Sequence, residues 1–258
     1  MNRPTLLERW YPETSFGGFT HVDGTIAFYE RVNGLLGTES VVLDLGCGRG
    51  AGAEDPVLWR RELRDLRGER RRVIGVDLDP EASTNPTIDE FRLMETQELP
   101  LPDAHVDVCV ADVVLEHVQD VDGFFSEVAR VLKPGGYVCI RTPNVWNYMG
   151  IASRAIPNRL HTRVLARIQP DRQEADVFPT VYRCNSVRRL QRAFARHYFE
   201  SVVIPHEAEP AYLSFSGVLY AFAVFHQRHA PRALRRTLLA FGRKPVPTRS
   251  PPPASAAE

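Results

Sequence analysis

Lysine is almost missing from this 258-residue chain. Lys133 and Lys244 are the only two, and arginine supplies the rest of the 32 basic side chains. The 32 acidic residues bring the formal net charge to zero, so bulk charge selects no partner. No Lys/Arg block of the length used in nucleic-acid contacts occurs, and nucleic acid is not expected as a partner. Cysteine is scarce too. Cys47, Cys109, Cys139 and Cys184 never form a C-x-x-C pair, which excludes the common zinc and redox motifs and leaves small apolar residues of a reducing compartment. No cluster at metal-ligand spacing is visible, so no metal is expected. No apolar run is long enough to span a bilayer, and the first residues, polar with Pro4 among them, do not read as a signal peptide. The expected location is cytoplasmic. Hydrophobic residues make up 43% of the chain, enough for the core of one domain with an elaboration.

Strand and helix patterns alternate through most of the length. Residues 1–21 read as irregular and aromatic, and Val22–Leu36 as a helix with Ile26, Tyr29 and Val32 at helical spacing. Strands are predicted at 41–45, 73–77, near 91–94, at 106–111 and at 136–142. Asp55-Pro56 reads as the start of a helix that places Trp59, Leu63 and Leu66 on one face. A helix over 121–132 turns Phe124, Phe125, Val128 and Leu132 inward. Ser186 caps a helix over 187–197, followed by strands at 198–205 and 237–244. A helical stretch from about residue 212 joins those two strands and is expected to cover the sheet. This alternation is that of a parallel sheet with helices on both faces. Three units are expected: an N-terminal segment and helix (1–37) over a cleft, a main domain (38–244), and a disordered Pro/Ser/Ala tail (245–258).

The most informative run is Val41-Val42-Leu43-Asp44-Leu45-Gly46-Cys47-Gly48-Arg49-Gly50. A buried strand ends in an acid and a glycine turn, where backbone can approach a nucleotide-like ligand. Taken alone, Gly46, Gly48 and Ala51 also satisfy the dinucleotide pattern G-x-G-x-x-G/A. Asp77 then closes Val73-Ile74-Gly75-Val76, at a place where a carboxylate accepts from ribose hydroxyls. Leu99-Pro100-Leu101-Pro102-Asp103, Val106-Asp107-Val108, Leu115-Glu116-His117-Val118 and Leu132-Lys133-Pro134-Gly135-Gly136 follow in order.

Together these motifs resemble the class I S-adenosylmethionine-dependent methyltransferases, in particular the group that includes ubiquinone- and menaquinone-pathway enzymes. The resemblance covers roughly residues 41–142. It implies a Rossmann-like α/β fold, a doubly wound seven-stranded sheet of order 3-2-1-4-5-7-6 with strand 7 antiparallel. It implies S-adenosylmethionine as cofactor and a small-molecule acceptor. The implied cofactor residues are Asp44, Gly46, Cys47 and Gly48 at the methionine end, Asp77 and Leu78 at the ribose, Glu95 and Thr96 at the adenine, and Asp112 and Val113 closing the pocket. Two departures stand out. Only about a dozen residues, including Asn85-Pro86, separate the second and third strands, where the family has a helix. The glycine turn also does not lead directly into a helix N-terminus.

For an alcohol acceptor a general base is needed, and His117 and His21 are the candidates, each with a surface or structural role as the alternative. The long segment 143–185 is expected to form a substrate lid, with Trp146, Tyr148 and Tyr182 as acceptor contacts. The apolar run 211–225, ending in a basic stretch to residue 236, offers a peripheral membrane surface as a second reading beside the sheet-covering helix. A looser similarity of residues 17–29 to bacterial polysaccharide and secondary-metabolite enzymes favours O-methylation of a saccharide or related hydroxyl compound. The rivals are N- or C-methylation of a natural product, a non-catalytic regulatory protein that binds the cofactor, and a nicotinamide oxidoreductase.

Overall fold

The computed structural model describes residues 4–147, 180–210 and 215–247. Tyr148, most of the segment 143–185 and the tail from 248 lie outside them. The sheet is built from β1 (Val41–Leu45), β2 (Arg72–Asp77), β3 (Glu90–Leu93), β4 (Val106–Asp112), β5 (Leu132–Pro143), β6 (Glu200–His206) and β7 (Thr237–Arg243). Their order is β3-β2-β1-β4-β5-β7-β6, parallel except for β7, which runs antiparallel to both neighbours. This is the expected topology, and the order reverses at β1/β4. The carboxyl ends of β1, β2 and β4 therefore open onto a crevice there.

The described helices are α1 (Leu6–Trp10), α2 (Gly24–Leu35), α3 (Leu58–Arg64), α4 (Val121–Val131), α5 (Val187–Arg196) and α6 (Gly217–His229). One side of the sheet is filled by Phe125 and Val128 of α4 and Leu190 and Phe194 of α5. The other takes Phe28 and Val32 of α2 with Leu63 and Leu66 beside them. Each such side chain, withdrawn from water, stabilises the fold by about 1.5–3 kcal/mol. Asp23 starts α2 by accepting from the amides of Thr25 and Ile26, and Ser186 starts α5 by accepting from Arg189. Both lysines are structural and sit at the amino-terminal end of β5. Lys133 donates to Asp107, and Lys244 donates to the carbonyls of Ala129 and Leu132. Between them the register of β4 on β5 jumps from Val106↔Leu132 to Val108↔Tyr137, so Lys133–Gly136 bulges and regular pairing resumes at Tyr137.

Four expectations are corrected. Residues 1–21 are not irregular: α1 has a complete capping box between Thr5 and Glu8, and a 3-10 turn follows at Pro12–Ser15. Asp55 does not cap α3, which begins after Val57. Asp55 instead accepts from the Val57 amide and holds Arg60. Trp59 does not share the buried face of Leu63 and Leu66 but stands exposed. Finally, α6 does not cover the sheet. Its Tyr220 and Val224 pack on Tyr11, with Leu6, Leu7 and Val22 around them. The reason is topological. A parallel crossover must lie across the sheet, but β6 and β7 are antiparallel neighbours, and their connection is free to leave it.

Candidate active site

At the carboxyl end of β1 the chain makes a glycine turn with φ of +71° at Gly46 and +54° at Gly48, a region that β-carbon-bearing residues avoid. The two glycines differ in what they make room for. A β-carbon on Gly46 would stand 2.5 Å from Cγ2 of Val114, so this glycine is required by protein packing rather than by space for a ligand. A β-carbon on Gly48 would meet nothing within 4 Å, and the backbone there faces open space. The turn is clamped from two sides. The Gly48 amide donates to Oδ2 of Asp77 at 2.8 Å, while Oδ1 of Asp77 accepts from Asp79 at 2.9 Å. Asn85, buried in the β2–β3 connection, donates from Nδ2 to the carbonyls of Cys47 and Gly48 at 2.9 and 3.2 Å. Its Oδ1 accepts from Thr87.

The two departures from the family pattern are present and are linked. A 3-10 turn at Ala51–Glu54 follows the glycine turn in place of a helix start, and a 3-10 turn at Pro80–Thr84 replaces the helix between β2 and β3. Asn85 lies on that shortened connection and binds carbonyls of the turn. Sequence reasoning read Asn85-Pro86 as a loop and missed this role, although an Asn amide next to Pro is the type of side chain that replaces backbone partners in a turn.

Beyond Asp77, Leu78 is exposed, and Glu95 and Thr96 follow β3 at the surface, with the Met94 amide bonded to the Asp77 carbonyl. The Cys47 thiol is pushed up to about 12 by burial and then by Asp44 and Asp77, so it stays protonated at neutral pH.

Two carboxylates further along behave oppositely. Asp112, at the end of β4, is gripped by Arg141 of β5 through Nε at 2.6 Å and Nη2 at 2.7 Å, and it accepts from the Tyr29 hydroxyl at 3.0 Å. Burial acts to raise its pKa, but the guanidinium outweighs this and holds it below the usual range. Arg141 also donates to Oγ1 of Thr25, tying the start of α2 to the sheet. The Asp112 carboxylate is thus already engaged by protein. The carboxylate of Asp44, a residue paired in register with Gly75 and Val110, accepts no hydrogen bond among the described residues. Burial, then the neighbouring Asp112, raises its pKa to about 7. Neither Arg141 nor Tyr29 was singled out as a site residue from sequence. An arginine at the end of the apolar run Tyr137–Ile140 was the available signal.

On the β4–β5 side, Val113 adopts φ +61° and is exposed, a costly conformation for a β-branched residue. Its amide is held by the Arg141 carbonyl. His117 follows in a turn, half-buried beside Glu116. Glu116 is buried, its pKa raised by that burial, and it accepts from the Thr142 hydroxyl at 3.0 Å. Asn185 donates to the same Thr142 oxygen at 2.6 Å, and its own Oδ1 is buried with no partner among the described residues. The two described limbs of the 143–185 segment meet here. Val145 donates to the Asn185 carbonyl, and Val181 and Tyr182 donate to the Glu116 carbonyl. Trp146 is exposed on one limb and Tyr182 sits on the other, so the structure brings both limbs to the turn that carries His117. Tyr148 lies outside the described residues. His21 is not drawn into this cluster. Its ring pairs with Glu13 at 2.7 Å and is 72% exposed, a surface hydrogen bond away from the crevice. Among the described residues no group of three or more His, Cys, Asp or Glu is placed to hold a metal ion, and no helix is long and apolar enough to cross a membrane.

Residues 43–140 match the family model described as "Methyltransferase domain". A probable S-adenosylmethionine-dependent methyltransferase of Mycolicibacterium smegmatis is 41% identical over 130 residues, which are 48% of this chain and 46% of that protein. A malonyl-[acyl-carrier protein] O-methyltransferase of Yersinia pestis is 34% identical over 109 residues, 41% of this chain and 37% of that one. The chain thus spans less than half the length of these two curated relatives. Geranyl diphosphate C-methyltransferase from Streptomyces coelicolor A3(2), solved with Mg2+, geranyl diphosphate and S-adenosyl-L-homocysteine, superposes with a TM-score of 0.52 at 18% identity. That match covers 84% of this chain and 77% of the other, and it shows a shared fold. With the sheet order and the turn after β1, these matches show a methyltransferase domain over residues 43–140, similar to those of S-adenosylmethionine-dependent methyltransferases.

Proposed function

We propose that the protein transfers a methyl group from S-adenosylmethionine to a hydroxyl of a small acceptor, with a saccharide or related hydroxyl compound as the acceptor class. The observation that carries the cofactor half is the clamped glycine turn beside an unbonded carboxylate. Open space in front of Gly48 fits the approach of the methionine portion. The Asp44 carboxylate, without a hydrogen bond among the described residues, is suited to an ammonium group. Asp77 accepts one backbone bond on each oxygen and keeps lone pairs for the two ribose hydroxyls. Leu78, exposed beside it, supplies an apolar surface for the base, with Glu95 and Thr96 at the rim.

When bound, the cofactor supplies an electrophilic methyl on a sulfonium that departs as a neutral thioether. The remaining task of the chain is to align the acceptor, exclude water and take one proton. His117 is the proposed proton acceptor, with Glu116 as its charge partner. The polar set of Glu116, Thr142 and Asn185, flanked by Trp146 and Tyr182, suits a ligand carrying hydroxyls on a flat or ring-shaped body. The Yersinia relative is named as an O-methyltransferase, which agrees with an oxygen acceptor.

The test uses cofactor labelled in its methyl group, with a panel of saccharides, phenols, amines and carboxylates, and mass analysis of the products. Label on a sugar hydroxyl is expected. Label on nitrogen or carbon would replace the acceptor class. Tight binding of S-adenosylhomocysteine with no transfer to any acceptor would replace the enzyme by a cofactor-binding regulator.

A further inference from the structure

Among the described residues, helix α6 is apolar on both sides and has a partner on only one. Tyr220, Ala223 and Val224 are buried toward α1. Val218, Phe222 and Phe225, each about one turn apart on the opposite side, are 81%, 64% and 61% exposed, with Leu219 beside them at 43%. Phe215, just before the helix, is 58% exposed. Scattered exposed apolar residues are ordinary, but a continuous aromatic stripe marks a contact surface.

The border of the stripe indicates what it contacts. From Phe215 to Arg236 the chain contains no acidic residue, while Arg228, His229 and Arg232 stand exposed at its end. His229 stacks on Phe225 with ring centroids 4.4 Å apart, and Arg228 lies 5.8 Å over the ring of the exposed Trp10 of α1. Arg235 and Arg236 are turned inward onto the carbonyls of Pro205 and Glu209. The one acid of α1, Glu8, is occupied by its own cap at Thr5. A stripe of phenylalanines bordered by a tryptophan, a histidine and arginines is the pattern of a helix lying in a lipid interface. Aromatic side chains enter the acyl boundary, and the indole and the guanidinium groups stay at the phosphate level. A second copy of this chain answers the pattern poorly. It would bring another acid-free helix against the same arginines.

We propose that the outer face of α6, with Trp10, docks on an anionic lipid surface. Val218, Leu219, Phe222 and Phe225 insert, while Arg228 and Arg232 meet lipid phosphates. This is independent of the acceptor proposed above and is read without any methyl transfer.

The experiment is co-sedimentation of the full chain with phosphatidylcholine vesicles, with and without phosphatidylglycerol. The wild type is expected to pellet with the anionic vesicles and to be released by salt. Phe222→Glu with Phe225→Glu should lower binding at least about tenfold, a charge being forced into the acyl boundary. Arg228→Gln and Arg232→Gln, which leave the apolar face intact, should each lower it about fivefold on anionic vesicles and leave the phosphatidylcholine background unchanged. S-adenosylhomocysteine binding and the thermal melt, followed in parallel, should not change in any variant. Failure of the wild type to bind anionic vesicles overturns the proposal. So does a wild-type dimer that the double variant turns into a monomer without any lipid binding, which assigns the face to a second copy. A double variant that melts early while both arginine variants bind vesicles like the wild type overturns it as well, because the face is then internal packing.

Discussion

The two sides of the crevice are assembled differently. On the β1–β2 side the working groups lie between Asp44 and Asn85 and hold one another through backbone: Gly48 to Asp77, and Asn85 to the carbonyls of Cys47 and Gly48. On the β4–β5 side they come from distant parts of the chain and meet side chain to side chain. Tyr29 and Thr25 of α2 join Asp112 and Arg141, while Thr142 joins Glu116 and Asn185. A backbone-built site depends on a few residue types at fixed spacing. A site built from side chains depends on the whole fold being in register.

The largest effect should come from breaking the second kind of contact. Arg141 and Asp112 are both nearly buried and form a two-bond pair. Arg141→Met leaves the Asp112 carboxylate buried with only the Tyr29 hydroxyl, which should cost about 3–5 kcal/mol of stability in urea unfolding. Adding Asp112→Leu should restore much of the loss, since an apolar pair of similar size is often neutral. An unchanged midpoint in the single variant would mean that the two sides are not bridged there.

Next in size is the clamp. Asp77→Ala should weaken S-adenosylhomocysteine binding by about 1.5–3 kcal/mol, the range for hydrogen bonds to a charged group. Because Asp77 also anchors the Gly48 amide, part of that loss should persist for an analogue lacking the ribose hydroxyls. Asn85→Ala should cost about 1 kcal/mol in the same titration through the freed carbonyls, with no dependence on the hydroxyls. Equal behaviour of Asp77→Ala and Asn85→Ala toward the two ligands would remove Asp77 from the ribose.

This contrast also explains what could be read in advance. The boundaries of β1 and the capping of α5 by Ser186 follow local rules, and the resemblance carried by the motifs from Asp44 to Gly136 implied the sheet order. The fourfold grip on Asp112 and Arg141 did not, because the spacing of Thr25, Tyr29, Asp112 and Arg141 along the chain bears no mark of their meeting. The reason given for Gly46 was also incomplete. Its β-carbon is excluded by Val114, a neighbour about 70 residues away that only the folded sheet supplies. The place of α6 was misjudged for a different reason. A helix between two strands was assumed to cross the sheet, which holds for parallel pairs and not for β6 and β7.

An effect of defined sign belongs to Asp44. Burial and the nearby Asp112 raise its pKa to about 7, against 3.8 for an ordinary aspartate. Between those values the folded protein binds a proton that the unfolded chain does not. The contribution to stability is present below this window and is lost as pH rises through 7. The melting temperature of the ligand-free protein should therefore fall between pH 5 and 8, and Asp44→Asn should flatten that slope. An ammonium beside Asp44 favours the ionised form, so cofactor binding below pH 7 should release a proton and tighten toward pH 7. Titration in two buffers of different ionisation enthalpy measures the release. The same release in Asp44→Asn would assign the proton elsewhere.

The smallest effect on cofactor and the most selective one on acceptor should be at Trp146 and Tyr182. Both belong to the limbs that converge on the turn carrying His117, and neither touches the Gly48–Asp77–Asn85 clamp. Trp146 is exposed, so its loss leaves no cavity in the core. Tyr182 holds φ +50°, and its backbone amide is what bonds Glu116. Alanine there keeps the bond and removes only the ring. Each substitution should thus leave the melt and the S-adenosylhomocysteine dissociation constant nearly unchanged and reduce acceptor kcat/KM by about 1 kcal/mol, the scale of one aromatic stacking contact. Placing both in one protein separates two arrangements. If the rings sandwich a single acceptor, the double variant should lose more or less than the sum of the singles, whereas rings that contact separate parts of it should add. A single variant that binds cofactor many-fold more weakly while keeping its acceptor kinetics would put these limbs on the nucleoside side, and the division between a backbone-built half and a side-chain-built half would have to be redrawn.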